Sequence, residues 1–140
     1  MRNHWGNADV AKVLLLEDDP DFLFTMTCAL ESEGHIVHGV ATLKEAINFL
    51  RFQKPDLLIL DYMISNQNSL RVADFALYAN PDVPVIYITG SGMFTEGQLF
   101  NLAGNVSWVL RKPVKLRDLI EIVEYSLARD AQEPKQAHVG

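Results

Sequence analysis

The sequence predicts an α/β domain in which helices cover both faces of a doubly wound parallel sheet. Short apolar runs alternate with amphipathic segments five times along the chain, the order that parallel strands and helical crossovers produce. The runs at 13–16 and 57–60 have the length and apolar character of strands buried on both faces. Both runs end on acids, which places carboxylates at the carboxyl edge of the predicted sheet.

Length and composition indicate the class of protein. The 140 residues suffice for one domain, and 49% hydrophobic with 21% charged residues is average for a globular protein. A net charge of −6 argues against nucleic acid as a direct partner, because phosphates attract Lys and Arg. Cys28 is the single cysteine, so no intramolecular disulfide can form and a reducing compartment is expected.

The apolar and polar stretches also suggest the limits of the domain. Residues 1–11 show no periodicity and are predicted to be a flexible leader, 12–129 the folded domain, and 130–140 a disordered tail. No apolar run approaches the ~18 residues of a membrane span, and no signal-peptide core precedes the first acids. We therefore expect a soluble cytoplasmic protein that makes no membrane contact.

The first strand and helix carry clear end signals. Asp19 follows the apolar run and can cap a helix, and Pro20 suits the first helical position. Gly34 provides the stop at the other end. Cys28 lies inside this helix and is predicted to be a small buried side chain rather than a reactive thiol.

The middle of the chain alternates in the same way. A second strand at 36–40 precedes a capping box at 42–45 and a helix whose predicted buried residues are Ala46, Ile47 and Leu50. The third strand ends at Asp61. A polar loop at 65–69 then leads into a helix that carries Leu70, Ala73 and Leu77.

The last third supplies two more strands. The fourth covers 85–88 and ends on Thr89, and a weak helix is predicted at 95–103, where Gly97 lowers helix propensity. The fifth strand, 106–110, ends on Arg111-Lys112-Pro113. An amphipathic helix follows, with apolar residues Leu116, Leu119, Ile120, Val123 and Leu127.

Polar groups from distant parts of the sequence meet at one edge of the predicted sheet. The strand ends carry Glu17, Asp18, Asp61, Thr89 and Lys112. Crowded carboxylates repel one another unless a cation lies among them, and oxygen ligands of this kind suit Mg²⁺. A lysine and a hydroxyl nearby are suitable partners for phosphoryl oxygens. The pattern predicts a Mg²⁺-dependent phosphoryl site.

The motifs at these ends resemble those of response-regulator receiver domains of two-component signalling, of the chemotaxis-regulator type. The resemblance covers residues 11–128. The residues that carry it are Leu15-Leu16-Glu17-Asp18-Asp19-Pro20, Leu60-Asp61, Ile88-Thr89-Gly90 and Arg111-Lys112-Pro113. It implies the (βα)5 flavodoxin-like receiver fold, with strand order 2-1-3-4-5.

The same resemblance implies a role for each site residue. Asp61 would be the phosphoacceptor. Mg²⁺ would be held by Asp18, Glu17, Asp61 and the backbone carbonyl of Met63. Thr89 and Lys112 would bind the phosphoryl group, and the Lys112-Pro113 bond would be cis.

The sequence departs from the family pattern at three places, one of which is the fourth helix region, where Gly90-Ser91-Gly92 and Gly97 are atypical. The loop after Asp61 has Ile64-Ser65 and Asn68-Ser69 where Met-Pro and Asp-Gly are usual. Val109 occupies the position of a common aromatic three residues before the lysine. Its neighbour Trp108 should point to the opposite face of the strand, because side chains alternate.

The resemblance predicts a stand-alone phosphorylation switch rather than an enzyme, with at most slow self-dephosphorylation. Its donor would be a sensor histidine kinase or a histidine phosphotransfer protein, and its output a downstream protein or a homodimer. One alternative is a pseudo-receiver that acts by constitutive protein binding. The other is a small Mg²⁺-dependent phosphatase, although the Asp-x-Asp pattern of such enzymes is absent because Met63 follows two residues after Asp61.

Overall fold

The computed structural model describes residues 10–90 and 108–132, which form strands and helices in alternation. The strands are β1 (Lys12–Leu16), β2 (Ile36–Val40), β3 (Leu57–Asp61), β4 (Met63–Ile64), β5 (Gln67–Asn68), β6 (Val85–Thr89) and β7 (Trp108–Arg111). The helices of these residues are α1 (Pro20–Ser32), α2 (Leu43–Phe52), α3 (Leu70–Ala79) and α4 (Leu116–Gln132).

Five of the strands form one parallel sheet in the order β2-β1-β3-β6-β7. Numbered among the main-sheet strands alone, this order is 2-1-3-4-5, as predicted. The α/β fold class is therefore confirmed. β1 and β3 lie in the interior of the sheet, and their register pairs Leu16 with Leu60, so that both acidic strand ends reach the same edge.

Alternating residues of the strands build a core on each face of the sheet. Leu14 and Leu58 pack on one face together with side chains from α2 and α3. Val13 and Leu57 pack on the other face with side chains from α1 and α4. Because both faces are covered, the interior strands lack the polar alternation of a half-exposed sheet. None of the described helices has the length and apolarity to cross a membrane.

The predicted helix ends are observed. The Asp19 side chain caps α1 by accepting a hydrogen bond from the Asp21 N–H, with Pro20 at the start of the helix. Thr42 Oγ1 accepts from the Glu45 N–H, and Glu45 Oε1 accepts from the Ala41 N–H, as a capping box requires. Gly34 has φ +94°, the left-handed conformation expected after a helix end.

Two sequence-based expectations need correction. Cys28 is exposed, because its position on α1 faces solvent while Met26 and Leu30 face the core. The polar loop after Asp61 contains the antiparallel β4–β5 pair, a short hairpin. Helix α4 ends at Gln132, and the predicted domain limits of 12–129 stay a prediction.

Other expectations fall outside the described residues. These are the leader at 1–9, the weak helix at 95–103, the start of the fifth strand at 106–107, and the tail from 133 onwards.

Candidate functional site

Three carboxylates converge at the carboxyl edge of the sheet. Asp61 is the last residue of β3, and Glu17 and Asp18 directly follow β1, the neighbouring strand. Each offers an oxygen, and these oxygens all lie within 4.8 Å of one another. Glu17 is fully buried and Asp61 nearly so, whereas Asp18 is exposed. The cluster therefore has two desolvated members and one that opens to solvent.

Lys112, directly after β7, is the cation of this site. Its Nζ lies 2.7 Å from Asp61 Oδ2 and 3.6 Å from Glu17 Oε1. The Phe22 ring of α1 also lies beneath the ammonium, 5.7 Å from Nζ to the ring centroid. Partial burial would lower the pKa of Lys112, but the hydrogen bond and charge of Asp61 outweigh it and raise that pKa above its ordinary value. The ammonium is charged at neutral pH.

Glu17 has the most perturbed carboxyl group of the site. Its pKa is raised from 4.5 to about 7, chiefly by burial and also by the neighbouring Asp61 charge, against the opposing effects of the Asp19 N–H and Lys112. The Asp19 N–H donates to Glu17 Oε2 at 3.0 Å. Glu17 Oε1 is buried and accepts no hydrogen bond from the described residues, although Lys112 Nζ lies 3.6 Å away. A lone pair of this oxygen is thus available to a ligand.

The β4–β5 hairpin donates backbone hydrogen bonds to two of the acids. The Met63 N–H donates to Asp61 Oδ1 at 3.3 Å, and the Ser65 N–H donates to Asp18 Oδ2 at 3.1 Å. Ser65 and Asn66 form the turn with φ of 50° and 67°. Two positive φ values are typical of the type I′ turn that closes a two-residue hairpin.

Ser69 is a supporting residue that the sequence analysis did not identify. Its side chain is fully buried, and Oγ donates to the Asp61 carbonyl at 2.7 Å. Its own N–H donates to the Tyr62 carbonyl at 2.8 Å. These bonds fasten the end of the hairpin to the end of β3. No local pattern distinguishes Ser69 from the other polar residues of 65–69, so only the fold reveals this role.

Thr89 ends β6, the strand that pairs with β3 on the other side of Asp61. Its carbonyl accepts from the Lys112 N–H at 2.8 Å, which ties two predicted site residues together. Thr89 Oγ1 is buried and has no hydrogen-bond partner among residues 10–90 and 108–132. The Lys112-Pro113 peptide bond is cis, as expected.

The side chains of Trp108 and Val109 lie on opposite faces of the sheet, as predicted. Val109 packs in the core on the α2 and α3 face, whereas Trp108 packs against the opposite core, beside α4. The Trp108 ring meets the Tyr125 ring edge to face at 5.8 Å. Trp108 therefore does not substitute for an aromatic at position 109.

The donor set fits a hard divalent cation. Carboxylate oxygens of Glu17, Asp18 and Asp61 share one small region, and one of them, Glu17 Oε1, is an orphaned buried acceptor. Two or three carboxylates crowded beside a single ammonium leave excess negative charge, which Mg²⁺ with oxygen ligands would neutralise. The structure thus brings Glu17, Asp18, Asp61 and Lys112 together; the predicted Met63 carbonyl ligand remains a prediction.

Comparisons with known proteins show which sequences and folds this chain is similar to. The family model described as the response regulator receiver domain matches residues 13–124. Among solved structures, a receiver domain protein (CheY-like) from Methanospirillum hungatei JF-1 has a TM-score of 0.80 and 25% identity, over 90% of this chain and all of the other. A receiver protein from Sinorhizobium medicae WSM419 has a TM-score of 0.77 and 23% identity, over 86% of this chain and 97% of that one.

Similar curated proteins are longer. The DNA-binding response regulator MtrA of Mycolicibacterium smegmatis is 28% identical over 89% of this chain and 54% of its own length. The nisin biosynthesis regulatory protein NisR of Lactococcus lactis is 27% identical, over 93% of this chain and 56% of the relative. The chain spans about half the length of these relatives.

Proposed function

The chain belongs to the response regulator receiver domain family, and from this premise we propose that it is a phosphorylation switch whose phosphoacceptor is Asp61. The observation that carries the proposal is the 2.7 Å contact between Lys112 Nζ and Asp61 Oδ2, beside two further carboxylates. A carboxylate held by one lysine within an acidic cluster can exchange that partner for a phosphoryl oxygen once charge is neutralised nearby.

The transfer step needs little from the protein beyond positioning. An oxygen of Asp61 attacks the phosphorus of a phosphohistidine, the P–N bond breaks, and its electron pair returns to the imidazole nitrogen of the donor. Lys112 would then pair with a phosphoryl oxygen, and the unpartnered Thr89 hydroxyl could donate to another. When bound by Glu17, Asp18, Asp61 and the Met63 carbonyl, Mg²⁺ would neutralise charge on the phosphoryl oxygens.

The donor chemistry defines the partners we propose. A sensor histidine kinase or a histidine phosphotransfer protein supplies the phosphoryl group, and a downstream protein or a second copy receives the signal in the cytoplasm. The protein acts stoichiometrically, with at most slow self-dephosphorylation. DNA binding appears in the name of the MtrA relative, only 54% of which is matched, so the absence of nucleic-acid contact by this chain stays a prediction.

Phosphorylation with a small donor tests the proposal. With Mg²⁺ and acetyl phosphate, intact-protein mass spectrometry should show a gain of one phosphoryl group, labile to hydroxylamine as an acyl phosphate. Asp61→Asn should abolish the gain. Asp56→Asn is the matched control, because Asp56 is an exposed acid at the other end of β3 and should leave labelling unchanged. Labelling of Asp61→Asn at the wild-type level would contradict the assignment.

The same assay separates the switch from the pseudo-receiver. A pseudo-receiver would show neither labelling nor a Mg²⁺-dependent change in tryptophan fluorescence, although its fold and partner binding would persist. A phosphatase would instead turn over acetyl phosphate or another phosphate ester many times per chain.

A further inference from the structure

A groove on the α2 and α3 face of the molecule lies apart from the acidic site. It has a volume of about 340 Å³ and is bordered by α2, α3 and the β5 strand of the hairpin. Its floor contains apolar side chains, Leu43 and Ile47 of α2 and Val72 of α3. A groove of this size is within the range that specific ligands use.

The rim of the groove is cationic. Lys44 and Arg51 extend from α2, and Arg71 extends from α3; all three are exposed. The chain has 12 Lys and Arg against 18 Asp and Glu, so three cations around one groove stand out against an acidic protein. Within residues 10–90 and 108–132, none of the three forms an ion pair or a side-chain hydrogen bond.

Nearby acids do not cancel this charge. Glu45 of α2 is engaged at the N-terminus of its own helix, where Oε1 accepts from the Ala41 N–H and the Thr42 hydroxyl. Asp74 of α3 makes no ion pair with Arg71. The cationic rim is therefore available to an external anion.

The arrangement favours one kind of occupant. Lys44, Ile47 and Arg51 follow one face of α2 at spacings of three and four residues, over roughly 10 Å of helix axis. A groove with an apolar floor and a cationic rim complements a segment that carries apolar residues on one face and carboxylates beside them. Inorganic phosphate would gain nothing from the floor, and no aromatic ring of the lining offers a stacking surface for a base.

We propose that this groove, lined by Lys44, Arg51 and Arg71 over Leu43, Ile47 and Val72, binds an acidic amphipathic helix of a partner protein. The inference does not depend on phosphorylation of Asp61. The groove can therefore be tested in the unphosphorylated chain, and a failure there is distinct from a failure of the labelling assay.

The probe is a fluorescein-labelled synthetic helix with leucine at i, i+3, i+4 and i+7 and glutamate at the flanking positions. Its fluorescence anisotropy is titrated with the full chain, and a second helix carries lysine in place of glutamate. We expect the acidic helix to bind and the basic helix to fail. Arg51→Gln with Arg71→Gln should weaken binding by about tenfold or more, since charged hydrogen bonds are lost.

The control variant is Lys115→Gln with Arg117→Gln, which also removes two positive charges, at the start of α4 on the opposite face of the sheet. It should leave the affinity of the acidic helix unchanged. Circular dichroism checks that all variants are folded. Equal binding of the acidic and basic helices would overturn the proposal, as would equal losses of affinity in the control variant and in Arg51→Gln with Arg71→Gln. So would self-association of the chain in sedimentation that Arg51→Gln with Arg71→Gln abolishes.

Discussion

Replacing Glu17 with glutamine should stabilise the protein at alkaline pH, although it removes a residue of the candidate site. Glu17 is fully buried, and burial raises its pKa from 4.5 to about 7. Between pH 4.5 and about 7, Glu17 therefore holds a proton in the folded chain that it has lost in the unfolded chain. The resulting stability is fully present below pH 4.5 and is lost as pH rises through about 7.

The size of the effect follows from the pKa difference. A rise from 4.5 to about 7 corresponds to about 3 kcal/mol in the free energy of unfolding, at about 1.4 kcal/mol per pH unit. Glutamine keeps the shape of the neutral carboxyl and cannot ionise. Glu17→Gln should therefore match the wild type near pH 5 and exceed it by about 2–3 kcal/mol at pH 8.

Urea denaturation followed by circular dichroism, at pH 5, 6, 7 and 8 without divalent cations, measures this difference. Glu31→Gln is the control, because Glu31 is an exposed acid of α1 and the change in net charge is the same. Added Mg²⁺ should stabilise the wild type at pH 8 more than Glu17→Gln. A stability difference between Glu17→Gln and wild type that does not vary with pH would refute the reasoning.

Three further substitutions test single features. Lys112→Met should destabilise the fold at pH 7 by about 1–3 kcal/mol, because Asp61 loses its 2.7 Å partner within an acidic cluster, and Mg²⁺ should restore part of the loss in urea titrations. Ser65→Gly should raise thermal stability by about 0.5–1 kcal/mol, because φ of 50° is strained for serine but not for glycine; a lower melting temperature would contradict the assigned turn. Thr42→Ala should lower the free energy of unfolding by about 1 kcal/mol, because it removes the N-cap of α2. Thr25→Ala, on an exposed face of α1, is the helix-interior control.

The sequence predicted the strands and helices better than the residues that position the acids of the site. Short apolar runs and caps such as Asp19 and Thr42 are local signals, and they located the described strands and helices to within a few residues. The convergence of Glu17, Asp61 and Lys112 also followed, because parallel strands bring their carboxyl ends to one edge.

What the sequence did not predict depends on tertiary contacts. The hairpin that contacts Asp18 and Asp61 lacks glycine in its turn, so residues 65–69 resembled an ordinary polar loop. Ser69 has a role only because its hydroxyl reaches the Asp61 carbonyl. Cys28 is exposed because it lies about 200° around α1 from the buried Met26, and the general preference of cysteine for burial gave the wrong prediction.

The β4–β5 hairpin touches both regions for which we propose ligands. Met63 and Ser65 contact the acids, and Gln67, paired with Ile64 across the hairpin, borders the cationic groove. Coupling between two binding equilibria is reciprocal. If modification of Asp61 changes the β4–β5 hairpin and raises the affinity of the groove for a helix, the bound helix must shift the equilibrium toward the modified chain by the same factor. A partner protein of this kind would bind the modified chain preferentially and, by binding, would also stabilise the modified state.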